Sequence, residues 1–165
     1  MKQLDPKVIW MFFIQYVLAW IFLVILLAVP LIVAYFSSEG KDVSVVMYVG
    51  WWLGPILLLP LFFVWAKLTY KFYKYELRDN GFRKESGVIS KRYVTIPYDR
   101  IQNVDIYRGI IARLLGLSDL HIQTAGTSAP VAIGEGRLPG LSKEVAESLR
   151  DELIQRARQS KNQGL

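Results

Sequence analysis

Residues 8–38 read VIWMFFIQYVLAWIFLVILLAVPLIVAYFSS and contain no Asp, Glu, Lys or Arg. Residues 43–66, VSVVMYVGWWLGPILLLPLFFVWA, form a second uncharged stretch. They run for 31 and 24 residues, and a helix needs about 20 apolar residues to cross the hydrocarbon of a bilayer. Only Glu39-Gly-Lys-Asp42 stands between them. The sequence predicts a two-helix transmembrane hairpin over 1–69, with spans at about 8–36 and 43–66. A water-soluble domain over 70–158 and a frayed tail over 159–165 follow. At 1.5 Å per residue the first span extends about 43 Å against a core of about 30 Å. It should tilt, kink at Pro30 or protrude into the headgroups. Its apolar part is too long for a cleaved signal peptide, and no small-x-small cleavage site follows it.

Charge sets the expected orientation. Lys2 and Lys7 flank the start of the first span, and Lys67, Lys71, Lys74 and Arg78 follow the second. The loop between them holds one lysine, Lys41. The positive-inside rule then puts both termini in the cytoplasm of a two-span cell-membrane protein. Trp10, Tyr35, Tyr48, Trp51, Trp52 and Trp65 stand near the expected interfaces, where amphipathic rings are favoured. The spans hold no ionisable carboxylate or cation, so ion pathways and proton relays lack their parts. Gly50 and Gly54 form a GxxxG before Pro55. This spacing fits either a close helix–helix contact or a flexible entry to the span.

The chain has no cysteine, which excludes disulfides, thiolate metal sites and cysteine nucleophiles. From Lys67 onward there are 17 Lys or Arg against 11 Asp or Glu. That excess suits a membrane surface and is too small to call for nucleic acid.

Near Tyr70 the pattern turns to alternation. Tyr73, Tyr75 and Leu77 interleave with Lys74, Glu76 and Arg78, the period of a half-buried strand. Asp79-Asn80-Gly81 predicts a hairpin with Asn80 and Gly81 central, since a type I′ turn needs positive φ at both. Phe82–Glu85 returns, Ser86-Gly87 turns, and Val88–Ile96 forms the next strand, ended by Pro97. Ile101–Tyr107, Leu120–Thr124 and Val131–Ile133 read as further strands. Gly109–Gly116 reads as a short helix between glycines. Leu141, Val145, Leu149, Leu153 and Ala157 make one apolar stripe of a C-terminal helix, with Ser142 as N-cap and fraying from Ser160. The expected fold is an α+β domain: a small antiparallel β-barrel or roll with a C-terminal capping helix.

The run Tyr75-Glu-Leu-Arg-Asp-Asn-Gly-Phe82, then Gly87-Val-Ile, Val94-Thr-Ile-Pro97 and Asp99-Arg-Ile-Gln-Asn-Val104, carries a resemblance. Ile111-Ala-Arg-Leu-Leu-Gly-Leu117 and Leu120-His-Ile-Gln-Thr-Ala-Gly126 continue it. This ordered series resembles the YdbS-like bacterial pleckstrin-homology membrane proteins. The resemblance covers most of 70–155 and implies a pleckstrin-homology-like (PH-like) fold anchored on the cytoplasmic side. Eukaryotic relatives of that fold bind phosphoinositides through a basic loop after the first strand. Here that loop is the short, partly acidic Asp79-Asn80-Gly81, which argues against such a site.

Lys67, Lys71, Lys74 and Arg78 would share one helical face if the second helix ran past the membrane. They are then candidate contacts for anionic headgroups, set against ordinary positive-inside flanking. His121 is the only histidine, and Asp99, Asp105 and Asp119 have Arg100, Arg108 and Arg113 as nearby partners in sequence. The chain has no HExxH, G-x-S-x-G, P-loop or dinucleotide motif. No catalytic, cofactor-binding or metal-binding residue is nominated, and no enzyme is expected. The expected role is a membrane-anchored interaction module recruiting a protein partner or a second copy at the inner membrane face. The alternatives are an anionic-lipid sensor and an accessory subunit of a membrane transport or stress-response complex.

Overall fold

The computed structural model describes residues 1–37, 56–124 and 136–163. Gly50, Gly54, the loop charges, the first part of the expected second span and the expected strand Val131–Ile133 lie outside the described residues. The chain forms two compact units, Phe12–Lys67 and Met1–Met11 together with Leu68–Leu165.

The first of these is helical. Helix α1 (Val8–Ser37) runs through Pro30, and α2 spans Leu59–Phe72. Phe13 meets Phe63 edge-on at 5.7 Å between ring centroids, and Trp20 meets Phe62 at 5.8 Å. Residues Val8–Val29 have a mean hydropathy of 2.6, and few of them are buried. Phe22, Ile25 and Leu26 face outward. A helix apolar on all sides with so little protein around it suits a lipid surrounding. Among the described residues, α1 alone is long and apolar enough to cross a membrane.

Among the described residues, the other unit contains seven strands in two antiparallel sheets. Sheet A has the order β1 (Lys2–Gln3), β2 (Lys74–Arg78), β3 (Gly81–Ser86), β4 (Arg92–Ile96). Sheet B has the order β5 (Ile101–Tyr107), β6 (Leu117–Thr124), β7 (Arg137–Ser142). Helix α3 (Ile110–Leu114) joins β5 to β6, and α4 (Lys143–Gln163) ends the chain. The expected barrel is not closed among the described residues. Pro97, which cannot donate to a ladder, and a 3₁₀ turn at Tyr98–Arg100 separate β4 from β5. Phe82, Leu117, Leu120, Leu138 and Leu153 form the fully buried centre.

Several elements differ from the sequence reading. The β2–β3 hairpin pairs Arg78 with Gly81, so Asp79 and Asn80 are the central residues of its turn. Gly81 serves a different need: a Cβ there would come within 3.0 Å of the Ile96 carbonyl carbon on β4. Strand β4 begins at Arg92 rather than Val88, because Gly87 (φ 109°) opens a bend through Ser90. In β5 a register shift between Ile101 and Asn103 lets Ile101 and Val104, three apart, both be buried. In α4 Val145 is exposed, and Ala146 takes its place in the core beside Leu149, Leu153 and Ala157. A strict step of four drifts around a helix of 3.6 residues per turn, so the stripe leaves the core at one end. The Ser142 hydroxyl accepts from the Val145 amide at 3.4 Å, as an N-cap does. Among the described residues the helix includes Ser160. The helix continues to Gln163, and Lys161 Nζ donates to the Ile101 carbonyl at 3.1 Å.

Two elements had no counterpart in the sequence reading. Strand β1 adds to sheet A beside β2, with Lys2 opposite Tyr75. Leu4, Val8 and Met11 behind it are buried. Met1–Met11 therefore belong to the same compact unit as the residues from Leu68 onward. The other is β7, which includes Pro139 and Gly140. Among the described residues it pairs with β6 alone, and an edge strand tolerates proline.

Candidate functional site

The four candidate cations do not share a face. Helix α2 carries Lys67 and Lys71 but ends at Phe72, so Lys74 and Arg78 belong to β2. Burial decides this switch. Tyr75 is buried, and the Tyr73 hydroxyl donates to the Arg137 carbonyl at 2.9 Å. Burial raises the Tyr73 pKa well above the ordinary phenol value, partly offset by Arg137. Lys74 stands opposite Glu85 in the ladder. Arg78 is paired with Glu76, and that hydrogen bond is the main reason the Glu76 carboxyl lies below its usual range. Lys67 Nζ lies 4.9 Å from the centre of the Phe63 ring.

A groove of about 630 Å³ opens between the β2–β3 turn, the 3₁₀ turn and α4. Asp79, Asp99, Glu152, Gln155, Arg156 and Gln159 contribute its polar lining. Tyr98 closes the floor: its hydroxyl donates to the Arg78 carbonyl at 2.8 Å, and Arg156 stacks 5.6 Å above its ring. Arg156 Nη2 lies 2.8 Å from a Glu152 oxygen. That bond is the main cause of a raised Arg156 pKa. With the arginine engaged, Asp79 and Asp99 leave the groove acidic. A phosphate entering by the turn would meet carboxylates first, whereas a cationic side chain would be attracted.

Tyr98 predicts an alkaline limit to stability. Burial raises its pKa, with Arg156 opposing. A raised pKa means that its contribution is fully present below the ordinary value of 10.0 and fades as pH climbs toward the folded value. Tyr73 and Tyr75, also raised by burial, act in the same direction. Unfolding free energies measured at about pH 8 and about pH 11 should bracket this loss. Tyr98→Phe should show a smaller drop between them, and should cost about 1 kcal/mol at the lower pH for its lost hydrogen bond.

Sequence reasoning missed a buried polar cluster. In sequence, Asp119 has Arg100, Arg108 and Arg113 only as chance partners. It instead accepts from Arg137 at 2.7 Å and from the Gly140 amide at 3.0 Å. The register shifts between Ser118 and Leu120, and the Asp119 carboxylate takes up a β7 amide at that shift. Buried Lys84 donates to the Arg137 carbonyl at 2.9 Å, the same oxygen that receives Tyr73. No motif signals this arrangement, because its members come from four separate strands or strand flanks. Asp105 accepts from Asn103 and Gln123, and His121 meets the Tyr107 ring edge-on. Among the described residues no cluster of His, Asp or Glu could hold a metal ion.

Two antiparallel sheets backed by one C-terminal helix, carried by a chain with an apolar helix before them, define a membrane-associated domain of the pleckstrin-homology class. The family model described as Bacterial PH domain matches residues 9–157, and the chain belongs to that family. It is similar to UPF0699 transmembrane protein YdbS of Bacillus subtilis strain 168, at 29% identity over 136 residues. That match covers 82% of this chain and 79% of YdbS. UPF0699 transmembrane protein YdbT of the same strain is 29% identical over 115 residues, which cover 66% of this chain and 22% of YdbT. No solved structure matches the chain.

Proposed function

We propose that this membrane protein is a tethered docking module. Two spans hold its PH domain at the cytoplasmic face of the cell membrane, where the acidic groove engages a basic segment of a protein partner, without catalysis. The groove carries the reading: it is open, polar and large enough for several side chains, and its net charge favours a cation. Tethering raises the effective concentration for other membrane proteins, so weak contacts suffice.

The double crossing is supported by chain connectivity. Met1–Met11 and the residues from Leu68 onward belong to one compact unit. A segment that leaves a folded body and rejoins it crosses a bilayer an even number of times. Residues 43–66 are the stretch able to make the return. A lipid-sensing role for Lys67, Lys71, Lys74 and Arg78 is the weaker reading, since Arg78 is paired with Glu76 and Lys74 faces Glu85. If Gly50 and Gly54 pack against a transport or stress-response complex, Gly50→Leu with Gly54→Leu should weaken its co-purification.

A photo-crosslinking residue at Gln159 in living cells should give a discrete adduct, and Asp79→Lys with Asp99→Lys should abolish it. An adduct at twice the mass of the chain identifies a second copy as the partner. No adduct, or one indifferent to the charge reversal, overturns the groove reading. Ser38→Cys in this cysteine-free chain should react with an impermeant maleimide from outside the cell. Reaction only after lysis rejects the orientation.

A further inference from the structure

Three apolar side chains stand almost fully exposed on the PH domain. Ile110 and Leu114 on α3 are 80% and 82% exposed, and Ile89 in the β3–β4 loop is 87% exposed. Ile110 and Leu114 are four apart, so they share the outer face of α3, while Ala112 is buried. A solvated isoleucine by itself is unremarkable. The position of these three is informative.

Helix α3 leaves sheet B just after Tyr107, which is paired with Asp119. Asp119 binds the Gly140 amide, and the Gly140 carbonyl accepts from Asp5 at 3.1 Å. Gly140 also lies against Val8 and Met11, the first turn of α1. The chain thus enters its apolar helix close to the point where α3 leaves the sheet. The Ile89 loop marks the other helix. Its Lys91 Nζ lies 5.9 Å from the centre of the Phe72 ring, the last residue of α2. The Ile89 loop therefore stands beside the last residue of α2, and α3 leaves sheet B two strands away from the Gly140 contact with the first turn of α1. No charged residue separates Met11 from the rest of the uncharged run.

Charge agrees with this placement. Residues 86–98 and 106–118 contain no Asp or Glu, but hold Lys91, Arg92, Arg108 and Arg113. Arg108 Nε donates to the Leu117 carbonyl at 3.1 Å, which uses one of its five donors. The carboxylates nearest on the packed strands have partners: Glu85 has Arg83, Asp119 has Arg137, and Asp105 has Asn103 and Gln123. The acidic turn Asp79-Asn80 is at the opposite end of the β2–β3 hairpin from Ser86 and the Ile89 loop. The apolar tips are thus flanked by cations, and the Asp79 and Asp99 carboxylates of the groove lie at the other end of the strands that carry them.

We propose that α3 and the β3–β4 loop form a bilayer-contacting face. Ile110, Leu114 and Ile89 enter the headgroup layer of an anionic membrane, and the flanking cations meet lipid phosphates. This rests on the anchored reading above, because the tether supplies the proximity that three side chains alone would not. The contact restricts the domain to one orientation, with the acidic groove turned toward the cytoplasm.

The absence of cysteine makes a direct test available. Single cysteines at Ile89, Ile110 and Leu114 carry nitroxide labels in the full chain, reconstituted in phosphatidylethanolamine–phosphatidylglycerol vesicles. A label at exposed Glu147 is the aqueous reference, and one at outward-facing Phe22 is the hydrocarbon reference. Accessibility to oxygen against a nickel chelate should place the three test labels about 5 Å or more inside the phosphates. The Glu147 label should remain in water. Test labels that match Glu147, with Phe22 reading hydrocarbon, overturn the proposal while leaving the anchor intact. Test labels immobilised yet still outside the phosphates also overturn it, since protein and not lipid then covers the tips. A Phe22 label that reads water overturns the anchor itself.

Discussion

Replacing Asp119 with alanine should destabilise the PH domain by about 3 kcal/mol. The side chain is buried and receives two hydrogen bonds, from Arg137 at 2.7 Å and from the Gly140 amide at 3.0 Å. A hydrogen bond to a charged group contributes about 1.5–3 kcal/mol, and removing one partner of a buried pair costs about 3–5 kcal/mol. The lower end applies because the Arg137 side chain is partly exposed, so water can solvate the cation left behind. The Gly140 amide has no such recourse, since that bond is buried. Asp119→Asn keeps an acceptor for the amide while losing the charge, and should cost about half as much. Denaturant unfolding of the full chain in detergent measures both. A loss below about 1 kcal/mol for the alanine variant would show that the cluster does not hold β6 to β7.

Gly140→Ala should cost about 2–5 kcal/mol. Gly140 has φ 66°, where a side chain costs about 1–2 kcal/mol. The new methyl would also come within 2.7 Å of Val8 Cβ. Overpacking of this kind typically adds about 1–3 kcal/mol. The damage should be local in a way that a general loss of stability is not. Val8 must retreat, which loosens the bond from the Asp5 amide to the Gly140 carbonyl. Hydrogen exchange should accelerate at Asp5 and in β1 while the β3–β4 ladder keeps its protection. Uniform acceleration, or none, would show that Gly140 does not tie the N-terminal segment to the domain.

That attachment was invisible in the sequence for a physical reason. Val8 and Met11 lie inside an unbroken apolar run. Such a run has no period, so nothing in it separates a residue packed on protein from one facing lipid. Strand β1 is two residues long, too short for alternation to register. Strand β7 was obscured by Pro139 and Gly140, which read as punctuation before a helix. By contrast β2, the short helix between glycines and the capped C-terminal helix were legible. In each of these the local pattern and the tertiary packing agree.

The candidate site was less legible than the fold. The four cations look like one group in sequence, and their spacing is helical. The helix ends at Phe72 because Tyr73 and Tyr75 gain burial and a hydrogen bond in the strand. The groove could not be read, since its lining comes from two turns and a helix far apart in the chain. Its acidic turn is nevertheless legible in the sequence, where Asp79 argues against a phosphoinositide site.

Composition and periodicity by themselves determined that the chain joins uncharged apolar stretches to a small α+β domain. Those properties are summed over many neighbouring residues and survive any particular packing. Tertiary structure alone decided that the first eleven residues join the compact unit, that Asp119 chooses Arg137, and that Asp79 and Asp99 meet in one groove. Such choices depend on which distant backbone amide or side chain arrives within hydrogen-bond or van der Waals reach, and local sequence carries no record of that.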